Sequence, residues 1–280
     1  MKEQTREKET NIQELETMAR VIRGKLVEMS HRSGAAHLGS ALSCVDILVA
    51  AYWGALRIDP ADPSAPERDR FILSKGHAAT VLYAALAYKG FFSTALLDSF
   101  AERGSCLAEH PVPRSVPGLE LATGSLGHGL SVGLGMAVAG RIQSQSYRVY
   151  VTISDGECNE GSVWEAALFA PVHKLENVIA IIDYNKWQAT GRSNEVLGLV
   201  PLKEKWQAFG WSAYEIDGHD MGALVNTLKN VPDGTGKPIA VVAHTVKGKG
   251  VSFMEDDNNW HYRIPKEEEV KKAFKELKLI

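Results

Sequence analysis

Two stretches decide the fold: Arg148-Val149-Tyr150-Val151-Thr152-Ile153-Ser154-Asp155-Gly156 and, about thirty residues on, Asn177-Val178-Ile179-Ala180-Ile181-Ile182-Asp183-Tyr184-Asn185. Each is an apolar, β-branched run that stops at a side chain with a hard oxygen. Between them, Ser162 to Ala170 has helical composition. The order is strand, turn, helix, strand, which is the right-handed crossover between parallel strands. Neighbouring parallel strands would bring Asp155 and Asn185 to one carboxyl edge of a sheet, where open α/β folds bind ligands. A carboxylate and an amide carbonyl suit Mg²⁺ or Ca²⁺, and Mg²⁺ takes few protein ligands beside phosphate oxygens. Free N–H groups starting a helix after Gly156 would favour the same anion. Taken singly, an Asp-Gly or an Asn after a strand is a turn former. Their placement on successive strands points instead to a metal-bridged diphosphate.

Working outward, apolar spacing predicts a helix from about residue 10 to 30, one over Val45–Tyr52 capped by Ser43, and one over Ala78–Tyr88 ended by Gly90. Ser93 is a candidate cap for a further helix to about Glu102. Phe71–Leu73, Ser212–Asp217 and the Ile-Ala-Val-Val-Ala run before Thr245 complete roughly five strands alternating with helices. Helices are also predicted over Leu202–Phe209, Met221–Lys229 and the charged tail from about Lys266. The fold class is therefore α/β, a mainly parallel sheet of about five or more strands with helices on both faces. No composition shift marks a boundary, so 1–280 reads as one domain. Gly104–Pro117, with three prolines and no periodicity, is a loop of functional length leading into Gly124-Ser125-Leu126-Gly127-His128-Gly129.

Composition excludes several classes. The 280 residues are 45% hydrophobic with a net charge of −3, and no Lys/Arg block or base-stacking motif suggests nucleic acid. No apolar run reaches the roughly 18 residues that span a bilayer, and the charged start lacks a signal-peptide core. The reading is a cytoplasmic protein without a membrane partner. Cys44, Cys106 and Cys158 form neither a disulfide framework nor a zinc motif, although Cys158, near a helix start, is a candidate reactive thiol.

From about His31 to Pro265 the chain resembles the N-terminal half of a transketolase, in the form encoded as a separate subunit. Ser154-Asp155-Gly156 with Asn185 is similar to the thiamin diphosphate motif, with Ser154 where the family usually has glycine. Four histidines strengthen the likeness: His37 in Ala-His-Leu-Gly, His77 in Ser-Lys-Gly-His, His110 before Pro111, and His261 in Trp-His-Tyr. The resemblance implies a thiamin diphosphate-binding fold in which Asp155, Asn185 and the carbonyl of Trp187 hold Mg²⁺ or Ca²⁺. It implies further that Gly156, Glu157, Gly124, Ser125, Leu126, His77 and His261 contact the cofactor. His128 replaces the usual glutamine of the glycine-rich run, and Glu160 matches an acidic residue at the boundary between active sites.

Ketol transfer needs a proton taken from a ketose C3 hydroxyl and one returned to the acceptor oxygen, work that imidazole performs near neutral pH. The resemblance assigns His37 and His261 to proton transfer, His77 to phosphate and intermediate, and His110 to the donor's hydroxyl end. His31, His173, His219 and His244 read as surface or satisfied structural residues. In the family, the glutamate that activates the cofactor and most phosphate-clamping arginines lie in a second α/β domain, for which there is no length after Thr245. A companion C-terminal subunit in an α2β2 heterotetramer is therefore expected, with sugars or sugar phosphates as substrates.

Two rivals stand beside this reading. Gly127-x-Gly129-x-x-x-Gly133 with Asp155 further on imitates a dinucleotide-binding run of an NAD(P)-dependent oxidoreductase. The residues before it, Pro117–Thr123, make a poor buried strand, and Asn185 is left unexplained. A non-catalytic regulatory module of the same fold is the other; intact metal ligands and histidines argue against it.

Overall fold

The computed structural model describes residues 11–280, so positions 1–10, including the first residue of the predicted N-terminal helix, lie outside the described residues. Five strands, β1 (Arg70–Leu73), β2 (Val149–Ser154), β3 (Val178–Tyr184), β4 (Ser212–Asp217) and β5 (Ile239–His244), form one parallel sheet in the order β1-β2-β3-β5-β4. Every residue of β2 and β3 is buried. That burial explains their unbroken apolar character, because both faces of a parallel sheet are covered. The outermost strand β4 is partly exposed and reads as mixed polar and apolar.

Helices α1 (Ile12–Ser33), α2 (Leu38–Ser43), α3 (Val45–Val49), α4 (Ala79–Lys89), α5 (Gly129–Ile142), α6 (Gly161–Val172), α7 (Ser193–Val196), α8 (Leu202–Ala208), α9 (Met221–Lys229) and α10 (Glu267–Glu276) surround it. One core joins α1, α3, α4 and α9 to Tyr150, Ile179 and Val241 on one face of the sheet. The opposite core joins α5, α6 and Trp206 of α8 to Val151, Ala180 and Val242. Adjacent residues of each strand thus enter different cores, as the two-residue period of a strand requires.

Local signals explain most boundaries. Asn11 caps α1 by accepting from the Gln13 N–H, and Gly34 ends it in the left-handed conformation. Gly90 closes α4 likewise, and Asp220 caps α9. Two expectations fail. Ser43 is not a cap: it ends α2, and its hydroxyl donates 2.6 Å to Asp183 Oδ2, a partner 140 residues away. The helix beyond it is regular only to Val49 and widens into a π-type turn over Ala50–Ala55. The segment after Ser93 is a 3₁₀ stretch, Thr94–Ser99, shorter than the predicted helix. Among the described residues, no helix is long and apolar enough to cross a membrane.

Candidate active site

The register Ser154↔Asp183 places Asp155 directly beside the end of β3, and the Asp155 N–H donates to the Asp183 carbonyl at 3.3 Å. Asp155 and Asn185 therefore do share the carboxyl edge. Asp155 is fully buried. Its Oδ1 accepts from Gly156 N (2.8 Å), and its Oδ2 from Lys186 N (2.8 Å) and Ser193 Oγ (2.8 Å). Burial without a neighbouring cation pushes its pKa up to about 6, despite those hydrogen bonds. The Asn185 amide nitrogen donates to Asp183 Oδ2 (3.2 Å) and Ser43 Oγ (3.4 Å), which turns its Oδ1 toward the Trp187 N–H at 3.1 Å.

The donor set fits a hard divalent cation. A carboxylate offers about four lone-pair positions, and three donors address Asp155. The amide oxygen of Asn185 has one donor, and among the described residues none is recorded on the Trp187 carbonyl. Each of the three oxygens keeps an open position, and the raised pKa of Asp155 is the condition that a positive ion relieves. Among the described residues no cluster of three His, Cys, Asp or Glu exists, so a cation here would draw on mixed protein oxygens and on its ligand's own.

One expectation about the anion fails. The N–H groups after Gly156 are not free: Gly156 donates to Asp155 Oδ1, Glu157 to Ser154 Oγ (3.1 Å) and Cys158 to the Asp155 carbonyl (3.0 Å). They close a 3₁₀ turn over Gly156–Asn159, and α6 begins only at Gly161. Ser154, where the family usually has glycine, is the acceptor that pins this turn. Glu157 does not face the cleft: it is buried beneath the turn, accepting from Ser74 Oγ, Gly127 N (2.8 Å) and Ser154 N (3.3 Å). It ties the glycine-rich loop to the β2 turn instead.

Above the Asp155–Asn185 floor opens a cleft of about 390 Å³ whose wall includes His37, His77, His110, His261, Gly124 and Leu126. Its remaining lining includes Ser154, Gly156, Asn185, Trp187 and Gln188. Ser125 is exposed and does not line it. Ring centroids of His37 lie 5.3 Å from His77 and 4.7 Å from His261, and His77 lies 5.9 Å from His261. His37 occupies a left-handed backbone position (φ 70°) and donates its N–H to the His261 carbonyl at 2.8 Å. The loop 104–117 is anchored by buried Leu107 and Val116 and brings His110 against Gly124, where a Cβ would lie 2.7 Å from the imidazole Cδ2. At Gly76 a Cβ would lie 2.4 Å from the Thr123 carbonyl, so two backbones close the cleft's side in contact.

Desolvation dominates the electrostatics. It lowers His37 to about 4 and His261 to about 3, with Lys247 and Lys75 adding to the effect, and holds His77 well below the usual imidazole value. The cleft thus presents neutral imidazoles at physiological pH.

Sequence reading missed the charged layer beneath. Lys75, wholly buried, is paired with wholly buried Asp183 and donates to the Ser40 carbonyl at 2.9 Å. Thr245 Oγ1 also donates to Asp183. Asp183 stands two residues before Asn185, on the same side of β3, and that spacing was the available signal. The four histidines set aside as structural do have structural partners. His31 meets the Pro265 carbonyl, His173 stacks on Phe169, His219 meets Asp46, and His244 meets Glu215. His128 is exposed, with Nδ1 against the Ser125 and Leu126 carbonyls. Cys158 is not a reactive thiol: it is buried, with its pKa driven well above normal by desolvation.

A parallel α/β sheet with an oxygen-donor floor and a histidine wall at its carboxyl edge is the architecture of thiamin diphosphate enzymes that handle sugars. The chain belongs to the transketolase family: residues 15–279 match the family described as transketolase, thiamine diphosphate binding domain. It is 41% identical over 266 residues to one of the separately encoded subunits of the apulose-4-phosphate transketolase of Phocaeicola vulgatus, covering 95% of this chain and 94% of that one. It is 42% identical over 264 residues to 6-deoxy-6-sulfo-D-fructose transketolase subunit SqwG of a Clostridium species, covering 94% and 96%. Among solved structures, transketolase from Campylobacter jejuni superposes with a TM-score of 0.89 at 29% identity. That match covers 96% of this chain and 43% of the solved one, so the chain spans less than half of that transketolase. Its extent matches the subunits named above and the N-terminal part of the single-chain form.

Proposed function

We propose that this chain is the diphosphate- and metal-binding subunit of a two-chain transketolase that moves a two-carbon ketol unit from a ketose, phosphorylated or otherwise anionic, to an aldehyde acceptor. The observation that carries the reading is the convergence of Asp155, Asn185 and the Trp187 carbonyl beneath a cleft walled by four histidines. Those three oxygens would hold Mg²⁺ or Ca²⁺, and with the nearby N–H groups spent in the turn, the cation is the main positive charge offered to a diphosphate. Thiamin diphosphate, when bound, supplies the electron sink that accepts the ketol carbon. Neutral His37 and His261 take and return protons at the sugar hydroxyl and the acceptor oxygen. His77 and His110 hydrogen-bond substrate and cofactor oxygens.

Two features support a companion chain. Glu157 is consumed within the fold, and Glu160, at the cleft's rim, is the one carboxylate among its described lining residues besides the floor. The activating glutamate would therefore come from a partner, in an α2β2 assembly. Lys75, the one cationic side chain lining the cleft, is spent on Asp183, so a substrate anion would also meet the companion. The relatives' names support both points, since both proteins are called subunits and both names include an anionic sugar.

Calorimetry tests the reading. Thiamin diphosphate should bind the chain with its companion present only when Mg²⁺ or Ca²⁺ is supplied, and Asp155→Ala should abolish that binding. Ketol transfer should require both chains. Robust turnover by this chain alone would refute the two-chain reading, and NAD(P) binding without thiamin diphosphate binding would return the oxidoreductase alternative.

A further inference from the structure

Lys247 lies in a Lys-Gly-Lys-Gly turn that reads as a simple loop, yet its side chain is wholly buried. Its Nζ stands 3.0 Å from His261 Nδ1 and 2.7 Å from Asn258 Oδ1. The turn has little freedom: Gly248 (φ 78°) donates to the Gly39 carbonyl at 3.0 Å, and a Cβ there would lie 2.1 Å from the Met254 oxygen. An ammonium only donates, so His261 Nδ1 must accept. A neutral imidazole that accepts at Nδ1 carries its proton on Nε2. Ser40 Oγ, 3.4 Å away, faces the same Nδ1, so the opposite edge of the ring meets the cleft.

We propose that Lys247 is a positioning residue that fixes His261 as the Nε2–H tautomer, making His261 the hydrogen-bond donor of the cleft and leaving proton acceptance to His37. His37 Nδ1 is buried without a partner and so has no donor competing for its lone pair. Lys75 repels Lys247, while Asp155, Asp183 and Asp257 attract it; with desolvation these leave its pKa at about 8, charged at neutral pH. The catalytic consequence rests on the transketolase reading, but the tautomer does not.

The test is a long-range ¹H–¹⁵N correlation spectrum of the full chain with ¹⁵N-labelled histidine, the His261 signal being identified by its loss in His261→Gln. The expected result is a proton on Nε2 in the wild type, a shift toward the Nδ1–H form in Lys247→Met, and recovery in Lys247→Arg. A wild-type Nδ1–H form, or an unchanged tautomer in a folded Lys247→Met, overturns the proposal; the wild-type spectrum decides even if that variant does not fold. With the companion present, Lys247→Met should lower kcat about 10²-fold, the low end of what a positioned acid or base contributes, with thiamin diphosphate affinity unchanged. Weakened cofactor binding at unchanged kcat would mark a merely structural lysine and overturn the proposal. If the wild type itself bound no thiamin diphosphate, the functional reading would fall while the tautomer result stood.

Discussion

Replacing Asp183 with Asn should be among the most damaging single changes outside the cleft. The carboxylate is wholly buried and gathers Lys75 Nζ, Ser43 Oγ, Thr245 Oγ1 and Asn185 Nδ2. Lys75 is equally buried. Each partner shifts toward its charged form, Asp183 downward and Lys75 upward, because the other's charge and hydrogen bond outweigh desolvation. Asp183→Asn leaves an ammonium in the interior without a counter-charge, which costs about 3–5 kcal/mol. At about 2–4 °C per kcal/mol for a domain of this general size, the thermal midpoint falls by roughly 6–20 °C. Lys75→Met strands the opposite charge and is also destabilising. The double variant removes both charges and should recover most of the loss, since a neutral pair of similar volume replaces a desolvated ion pair. Melting curves by circular dichroism on the two single variants and the double close the cycle. Additive losses in the double variant, or a loss below about 1 kcal/mol in Asp183→Asn, would refute the claim that these groups act as one buried pair.

Other outcomes follow from particular contacts. Gly76→Ala forces a methyl into the Thr123–Gly124 backbone and should weaken thiamin diphosphate binding by displacing the glycine-rich loop, read by titration; unchanged affinity would contradict the packing. Thiol titration of the native chain should register Cys106 rapidly, with buried Cys44 and Cys158 reacting only on unfolding. The acid limb of kcat/KM should show no ionisation near 6.5, because His37 and His261 are held at about 4 and about 3. Their folded values lie below the unfolded value of 6.5, so unfolding takes up protons between about pH 4 and 6.5. Stability should therefore fall as pH is lowered through that window, with a proton uptake that a denaturation series across pH would reveal.

Periodicity, turn chemistry and strand ends are local properties, and they are written along the chain. The two apolar runs ending at Asp155 and Asn185, the intervening helix, the capping Asn11 and Asp220 and the closing Gly34 and Gly90 were enough to specify parallel strands, their covering helices and the edge that carries the oxygens. The spacing of the four histidines carried no geometry by itself; likeness to a family supplied their roles. Tertiary structure alone decided how charge is stored beneath the site. Lys75 and Asp183 are 108 positions apart, and Ser43 reaches across 140 to the same carboxylate. No window of sequence contains such a pair, since it exists only where separate elements return to the same sheet edge. The same holds for the spent N–H groups after Gly156, the inward turn of Glu157 and the seat of Lys247 behind His261. A buried polar group must find its partner wherever the packed chain provides one, and the path of the chain determines which partner that is.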